Sequence, residues 1–265
     1  MQRLRLSFVR TVFEAVHSAR YHGGTLLRML LPVVVITAAS SAYFNRVIAD
    51  GEYQSGDVGI LIVGVLAWLY VATCMTLGLY RLFLFDRAQE PAEGAAASPE
   101  NVYAWTNTHW RLLGWGVLLG ILTLLTSIIP LVIARYISET LGATETSSTA
   151  QLLSAAAMLV GYYFYGRWVL ALPMILLPDT GPSLGRSWDW SEGNSVHMLL
   201  CVGLLPTFQA ICWAFVPETA GIGASLVGAV ITTVVMAAEV IMVSRSLVRL
   251  QEAGVTAEVP TAPEE

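Results

Sequence analysis

The sequence predicts an all-α fold, namely a polytopic membrane bundle of six transmembrane helices preceded by an amphipathic interfacial helix. One observation is composition: hydrophobic residues make up 55% of the 265 residues and charged residues only 12%, against about 25% charged in soluble domains. The other is six apolar stretches close to the ~20 residues that cross a ~30 Å bilayer core as a helix. Lipid offers the backbone no hydrogen-bond partners, so each stretch should be helical.

Residues 1–25 predict an amphipathic helix at the membrane interface. Its apolar stripe at helical spacing is Phe8, Val9, Val12, Phe13 and Val16, and its polar side carries Arg10, Glu14 and His17. The same pattern also fits a cytoplasmic helix packed under the bundle. The sequence leaves these two arrangements open.

The six spans are predicted near residues 26–48, 58–84, 112–135, 148–177, 196–217 and 220–245, within one membrane domain over 1–250. Small residues at four-residue spacing predict close helix packing inside the bundle: Gly116 with Gly120, Ala157 with Gly161, and Ala224 with Gly228. Residues 87–100 predict a flexible linker, and residues 251–265 predict a disordered cytoplasmic tail.

Arginine placement predicts that both termini are cytoplasmic. Eleven arginines lie before span one, between spans two and three, between spans four and five, or after span six, whereas the opposite side holds only Arg46 and Arg135. Cytoplasmic loops carry the excess of basic residues, so this side is the inner one.

Two ionisable residues, Arg167 and Glu239, fall inside otherwise apolar spans. A charge at such a position costs about 2.5 kcal/mol or more on insertion scales, so it usually finds a partner inside the bundle. We therefore expect Arg167 and Glu239 to form a buried ion pair that joins spans four and six. The alternative is a small transporter or carrier, in which Arg167 attracts an anionic substrate.

The segment from Arg167 to Asn194 predicts an elbow at the membrane surface. Pro173 should break the helix ladder of span four, and Ser183–Glu192 fits a short helix with Trp188 and Trp190 suited to the interface. Gly193-Asn194 should cap this helix before span five.

This segment resembles the signature of a family of six-helix bacterial inner-membrane proteins, related to the membrane domain of glycerophosphoryl diester phosphodiesterases. The matching residues are Arg167, Leu172-Pro173, Ser187-Trp188 and Gly193-Asn194. Trp190-Ser191 departs from the usual Leu-Thr, and only Asp179 could fill the place of the acidic residue that often follows the proline. The resemblance implies a bacterial inner membrane and both ends inside, and it carries no activity.

The sequence predicts no catalytic, cofactor-binding or metal-binding residues. Cys74, Cys201 and Cys212 are scattered within the spans, and the four histidines lack ligand spacing. Gly181–Gly185 matches the G-x-S-x-G pattern of serine hydrolases, but Pro182 precedes Ser183 after a membrane span, so we interpret the match as chance. A second enzyme hypothesis, a reactive group formed by Asp179, Asp189, Glu192 and His197, is less favoured than a solvated polar loop.

The predicted function is that of a non-enzymatic accessory or scaffold module. Its expected partners are membrane lipids, and in addition either a partner membrane protein or a second copy of the chain, with no nucleic acid. Carriage of an anion by Arg167 is the alternative function.

Overall fold

The computed structural model describes residues 5–50, 55–85, 103–144, 147–177, 181–213 and 222–253. Every regular element in these ranges is helical, which confirms the all-α prediction. The helices are α1 (Phe8–Tyr21), α2 (Gly23–Asp50), α3 (Ser55–Phe85), α4 (Asn107–Thr140), α5 (Ser148–Trp168), α6 (Leu184–Trp190), α7 (Ser195–Trp213) and α8 (Ile222–Glu252). Two 3₁₀ turns, Val169–Ala171 and Pro173–Leu176, follow α5.

Five segments are long and apolar enough to cross a membrane: Gly23–Val47, Gly56–Phe85, Asn107–Thr140, Ser148–Leu176 and Gly223–Glu252. A shorter apolar helix, Ser195–Gln209, corresponds to the fifth predicted span. These helices are those of a multi-pass membrane protein. Helices α2, α3 and α4 extend beyond the predicted spans at both ends, because apolar residues mark the part suited to lipid and not the full length of the helix.

Parts of the predicted organisation lie outside the described residues. These are the linker at 87–100, the connection at 214–221 and the tail from residue 254 onward. The first residues of the predicted tail are not disordered, since α8 continues to Glu252. That correction follows from the anchoring of this end of α8 on α1, described below.

The core of the bundle is concentrated at the end where α1 lies, which we call the α1 end. Helix α5 packs between α4 and α7, while α8 packs against α2, α3 and α7. Large side chains that are almost fully buried at this end include six from α3, the 3₁₀ turns and α8: Tyr80, Phe83, Leu170, Met174, Leu247 and Leu250. Elsewhere large apolar side chains face outward, as Ile129 does at 70% exposure, which is the arrangement expected beside lipid.

Helix α1 is fastened to the end of α8 by its polar side chains. Arg249 donates to both Glu14 (Nε to Oε2, 2.9 Å) and Thr11 (Nη1 to Oγ1, 3.3 Å). One turn earlier on α8, Arg245 donates to Oγ of Ser18. Thr11 is fully buried at this contact, so the polar face of α1 is part of the folded protein.

The apolar stripe of α1 is divided between two directions. Phe8 and Val12 pack against the core. Val9, Phe13 and Val16 instead point outward, with exposed fractions of 63%, 72% and 47%. Helix α1 therefore packs against the bundle, which is the arrangement of a packed cytoplasmic helix. It also presents an outward apolar edge, which a helix at the membrane interface requires.

Close helix packing depends on glycine in α5. A Cβ at Gly166 would lie 3.1–3.2 Å from backbone atoms of Met198 and Leu199 in α7. A Cβ at Gly161 would meet Ser127 of α4, as the small-residue pattern predicts. Gly116 and Gly120 have nothing within 4 Å, so the packing predicted for that pair is wrong.

We expect Gly166→Ala to lower the free energy of unfolding by about 1–3 kcal/mol, because backbone atoms of α7 would have to move away from the added methyl group. Gly114→Ala is the matched control, since its Cβ meets nothing within 4 Å and alanine is the better helix former. Thermal unfolding of both variants in lipid particles measures the difference. Equal midpoints would contradict the close approach of α5 and α7.

Candidate functional site

The elbow, residues 167–194, begins where α5 stops at Trp168. The α-helix ends five residues before Pro173, earlier than predicted, and Pro173 is instead the first residue of the second 3₁₀ turn. Proline has no N–H to offer the carbonyl of Val169, which accepts from the N–H of Leu172 at 3.0 Å. The chain thus tightens into 3₁₀ turns, and Val169, Leu170 and Ala171 are almost fully buried.

The second half of the elbow matches the predicted short helix and its cap. Oγ of Ser183 accepts the N–H of Arg186 at the start of α6, so the serine of the G-x-S-x-G match caps a helix. Gly193 has a φ of +79°, a left-handed conformation that glycine adopts without strain. The carbonyl of Asn194 then accepts the N–H of Met198 at 2.9 Å as α7 begins.

The side chain of Arg167 is held by α6 and α7, and only 6% of the residue is exposed. Nη1 donates to Oγ of Ser195 at 2.6 Å, and Nη2 donates to the carbonyl of Trp188 at 2.8 Å. Cζ lies 4.0 Å from the centre of the Trp188 ring, close enough for a cation–π contact. The positive charge is therefore balanced by dipoles and an aromatic face.

The backbone carbonyl of Arg167 is bound by serines in and directly after α6. Its carbonyl accepts the hydroxyls of Ser187 at 2.7 Å and Ser191 at 3.4 Å, and both serines are fully buried. These bonds attach the backbone at the end of α5 to α6 and to Ser191, the residue that follows α6. Arg167 is consequently the residue at which α5, α6 and α7 are joined.

The predicted ion pair between Arg167 and Glu239 is wrong. The guanidinium is bound at α6 and α7, and Oε1 of Glu239 is buried without a hydrogen-bond partner. Glu239 instead lines a cavity of about 370 Å³, which Arg167 does not line. Hydropathy placed both residues at similar depth but could not give the direction in which either side chain points.

Trp188 and Trp190 occupy different environments. Trp188 stacks beside Phe164, with ring centres 6.2 Å apart, while carrying the guanidinium of Arg167. Trp190 is only 5% exposed and belongs to the core, so it packs against protein and does not face lipid. Asn194, also 5% exposed, accepts the N–H of Leu6 at 2.7 Å and so connects the elbow to the segment before α1.

A polar cluster around His197 was missed by the sequence analysis. Nε2 of His197 lies 2.9 Å from Oγ of Ser246 and 3.5 Å from Sγ of Cys201, and the residue is 5% exposed. It therefore links α7 to α8 inside the protein and is not part of a solvated loop. The only sequence signal was Cys201 four residues after His197, on the same face of a helix.

Acidic, histidine and cysteine side chains do not converge in groups of three or more that could hold a metal ion, within the part of the chain that the structure describes. Cys74 and Cys201 are buried free thiols. Asp179, a member of the second enzyme hypothesis, lies outside the described residues.

No protein family, curated protein or solved structure matches this chain. The class that the described helices define by their length and apolar composition is that of a multi-pass, all-helical membrane protein. The resemblance of the elbow to the six-helix inner-membrane family stays a prediction.

We expect Arg167→Ala to lower the free energy of unfolding by about 3 kcal/mol, because it leaves partly buried acceptors on α6 and α7 without their donor and removes a buried side chain. Arg167→Lys should restore little, since an ammonium group lacks the planar fork that meets both acceptors while stacking on Trp188. Steric-trap unfolding in lipid particles measures both losses.

Arg135→Ala is the matched control for Arg167→Ala. Arg135 pairs with Glu139 at 2.9 Å on the protein surface, and its side chain is 67% exposed. Such pairs contribute about 1 kcal/mol or less. Equal losses for the two alanine variants would show that Arg167 does not join the three helices.

Proposed function

We propose that this chain is a six-span protein of a bacterial inner membrane, with both termini in the cytoplasm, that acts as a non-enzymatic accessory module. Its partner in this proposal is the lipid of the cytoplasmic surface. The observation that carries the proposal is the outward apolar edge of α1, formed by Val9, Phe13 and Val16.

An apolar edge of this kind is suited to the boundary between headgroups and acyl chains. Covering a large apolar side chain contributes about 1.5–3 kcal/mol relative to exposure in water. Arg10 and Arg20 are exposed on the same helix, where they can meet anionic headgroups. The edge and the arginines together support a helix that lies in the lipid surface.

The contact between Glu14 and Arg249 keeps α1 in a fixed position beneath the bundle. Burial of Glu14 works against its ionisation, but hydrogen bonds and charge from Arg249, and then from Arg10, outweigh it and lower the pKa of the carboxyl. Because the pKa is lowered, the ion pair is complete at neutral pH and its contribution is lost only as the pH falls through that lowered value. A fixed α1 can transmit a lipid contact to α8.

The arginines support the proposed orientation. The elbow and the last turns of α8 lie at the α1 end, and they carry Arg186, Arg245 and Arg249. Arg46 and Arg135 instead lie near the C-terminal ends of α2 and α4. The excess at the α1 end is the pattern of a cytoplasmic face. The resemblance of residues 167–194 to a six-helix family supports the bacterial inner membrane.

The alternative, carriage of an anion by Arg167, has less support. The guanidinium already binds Ser195 and Trp188, and it does not line the cavity that contains Glu239. An anion at Arg167 would have to displace bonds that join α5 to α6 and α7. The geometry therefore favours a structural role for this residue.

A pair of nitroxide labels tests the position of α1. The labels are attached through Val9→Cys on the outward apolar edge and, as the matched control, through Arg10→Cys on the polar side, where Arg10 is 75% exposed. Each variant carries no other cysteine and is placed in bilayers that contain anionic lipid. Power-saturation spectroscopy compares collisions with oxygen and with a water-soluble nickel complex.

We expect the label at position 9 to collide mainly with oxygen and the label at position 10 mainly with the nickel complex, because the two side chains lie about 100° apart around the helix. Equal, predominantly aqueous collision profiles at both positions would contradict a lipid-surface role for α1.

A further inference from the structure

A cavity of about 370 Å³ lies between α3, α4, α5 and α8 and is also lined by Val169 and Leu172 of the elbow, while neither Arg167 nor α1 lines it. Its volume is within the range of about 300–1,000 Å³ that small-molecule sites occupy. Apolar residues form most of its wall, and the residues that give it chemical character are Trp68, Tyr80, Tyr165 and Glu239.

Glu239 is the acidic residue of this cavity, and none of the described residues that line it is basic. Its Oε1 atom is buried and has no hydrogen-bond partner. A carboxylate in such surroundings is costly unless a positive charge or a donor comes to it. The cavity therefore favours a cationic occupant and disfavours an anionic one.

Aromatic groups strengthen this preference. Tyr80 and Tyr165 line the cavity together with Trp68 and Glu239. The faces of aromatic rings attract organic cations, most strongly where water is excluded. A carboxyl beside aromatic rings is the chemistry that recognises an ammonium group.

The cavity is open on the side of α4. Val117 is 52% exposed there, whereas Tyr80, Val202 and Val243 at the inner wall are 1% exposed. Gly116, also on the open side, would have nothing within 4 Å of an added Cβ. Helix α3 contacts α4 only lightly, so a molecule can reach Glu239 from the outer, apolar surface of the bundle.

We propose that this cavity binds a small lipophilic organic cation. The ammonium group of the ligand lies against the Glu239 carboxyl and the aromatic rings, and its apolar part lies along α3 and α4. This site uses neither Arg167 nor α1, so it is independent of the accessory role proposed above and can fail without affecting it.

The test uses the full chain in nanodiscs of zwitterionic lipid and three probes of similar shape. Benzyltrimethylammonium is the cation, neopentylbenzene is its neutral carbon isostere, and benzenesulfonate is an anion. Binding is measured by equilibrium dialysis against empty nanodiscs. We expect saturable binding of the cation alone.

Two kinds of variant locate the binding. Glu239→Gln keeps the shape of the side chain and should weaken cation binding by about tenfold or more, as loss of a charge-assisted contact does. Gly116→Leu should fill the open side and abolish binding. Gly120→Leu is its matched control, because Gly120 lies one turn further along α4, has nothing within 4 Å and does not line the cavity.

The proposal is overturned by any of three results: no saturable binding of the cation to the wild type, equal binding of the cation and its neutral isostere, or unchanged cation binding in Gly116→Leu. Unchanged binding in a folded Glu239→Gln variant overturns it as well. If Glu239→Gln does not fold, the comparison of the two leucine variants decides.

Discussion

A guanidinium buried among apolar helices must find its hydrogen-bond acceptors inside the protein. The bonds of the two Nη atoms of Arg167, whose Nε is buried without a partner, are the constraint on which the rest of this structure depends. Its acceptors are supplied by Ser195 at the start of α7 and by the Trp188 carbonyl in α6. Both exist in the right place only because the chain reverses through two 3₁₀ turns. The elbow and the arginine therefore require each other.

The other polar contacts at the α1 end extend from this point. Asn194 follows the elbow and binds the backbone before α1, and His197 on the next turn binds Ser246 of α8. Helix α8 in turn binds α1 through Arg249. Hydrogen bonds thus connect the elements of the α1 end in addition to its apolar core, while the remainder of the bundle relies on close packing in lipid.

Much of the fold was predictable because hydropathy and helix length are direct consequences of the bilayer. Each of the six predicted apolar stretches overlaps a described helix, although residues 214–221 lie outside the described part of the chain, and Arg167 stands out since a charge in such a stretch needs an explanation. The partner of Arg167 was not predictable. Glu239 looked suitable by charge and depth, yet depth does not determine the direction of a side chain around its helix.

The same limit explains the other differences. Trp190 is a residue type typical of the membrane interface, but the path of the chain through the elbow places its side chain in the core. The sequence pattern treats the apolar stripe of α1 as a single face. In the structure, Phe8 and Val12 pack against the core, whereas the remaining apolar residues of the stripe point outward. In each case tertiary geometry decided between environments that the sequence pattern treats as equal, and neutral acceptors such as Ser195 carry no signal in hydropathy or charge.

The most direct test of the central claim is a double-mutant cycle between Arg167→Met and Ser195→Ala, read as the free energy of unfolding in lipid particles. The two residues share a hydrogen bond of 2.6 Å, so we expect a coupling free energy of about 1 kcal/mol or more. The parallel cycle between Arg167→Met and Glu239→Gln should be additive within about 0.5 kcal/mol. If the effects of Arg167→Met and Ser195→Ala are additive, while those of Arg167→Met and Glu239→Gln are coupled, Arg167 pairs with Glu239 and does not join α5 to α7 through Ser195.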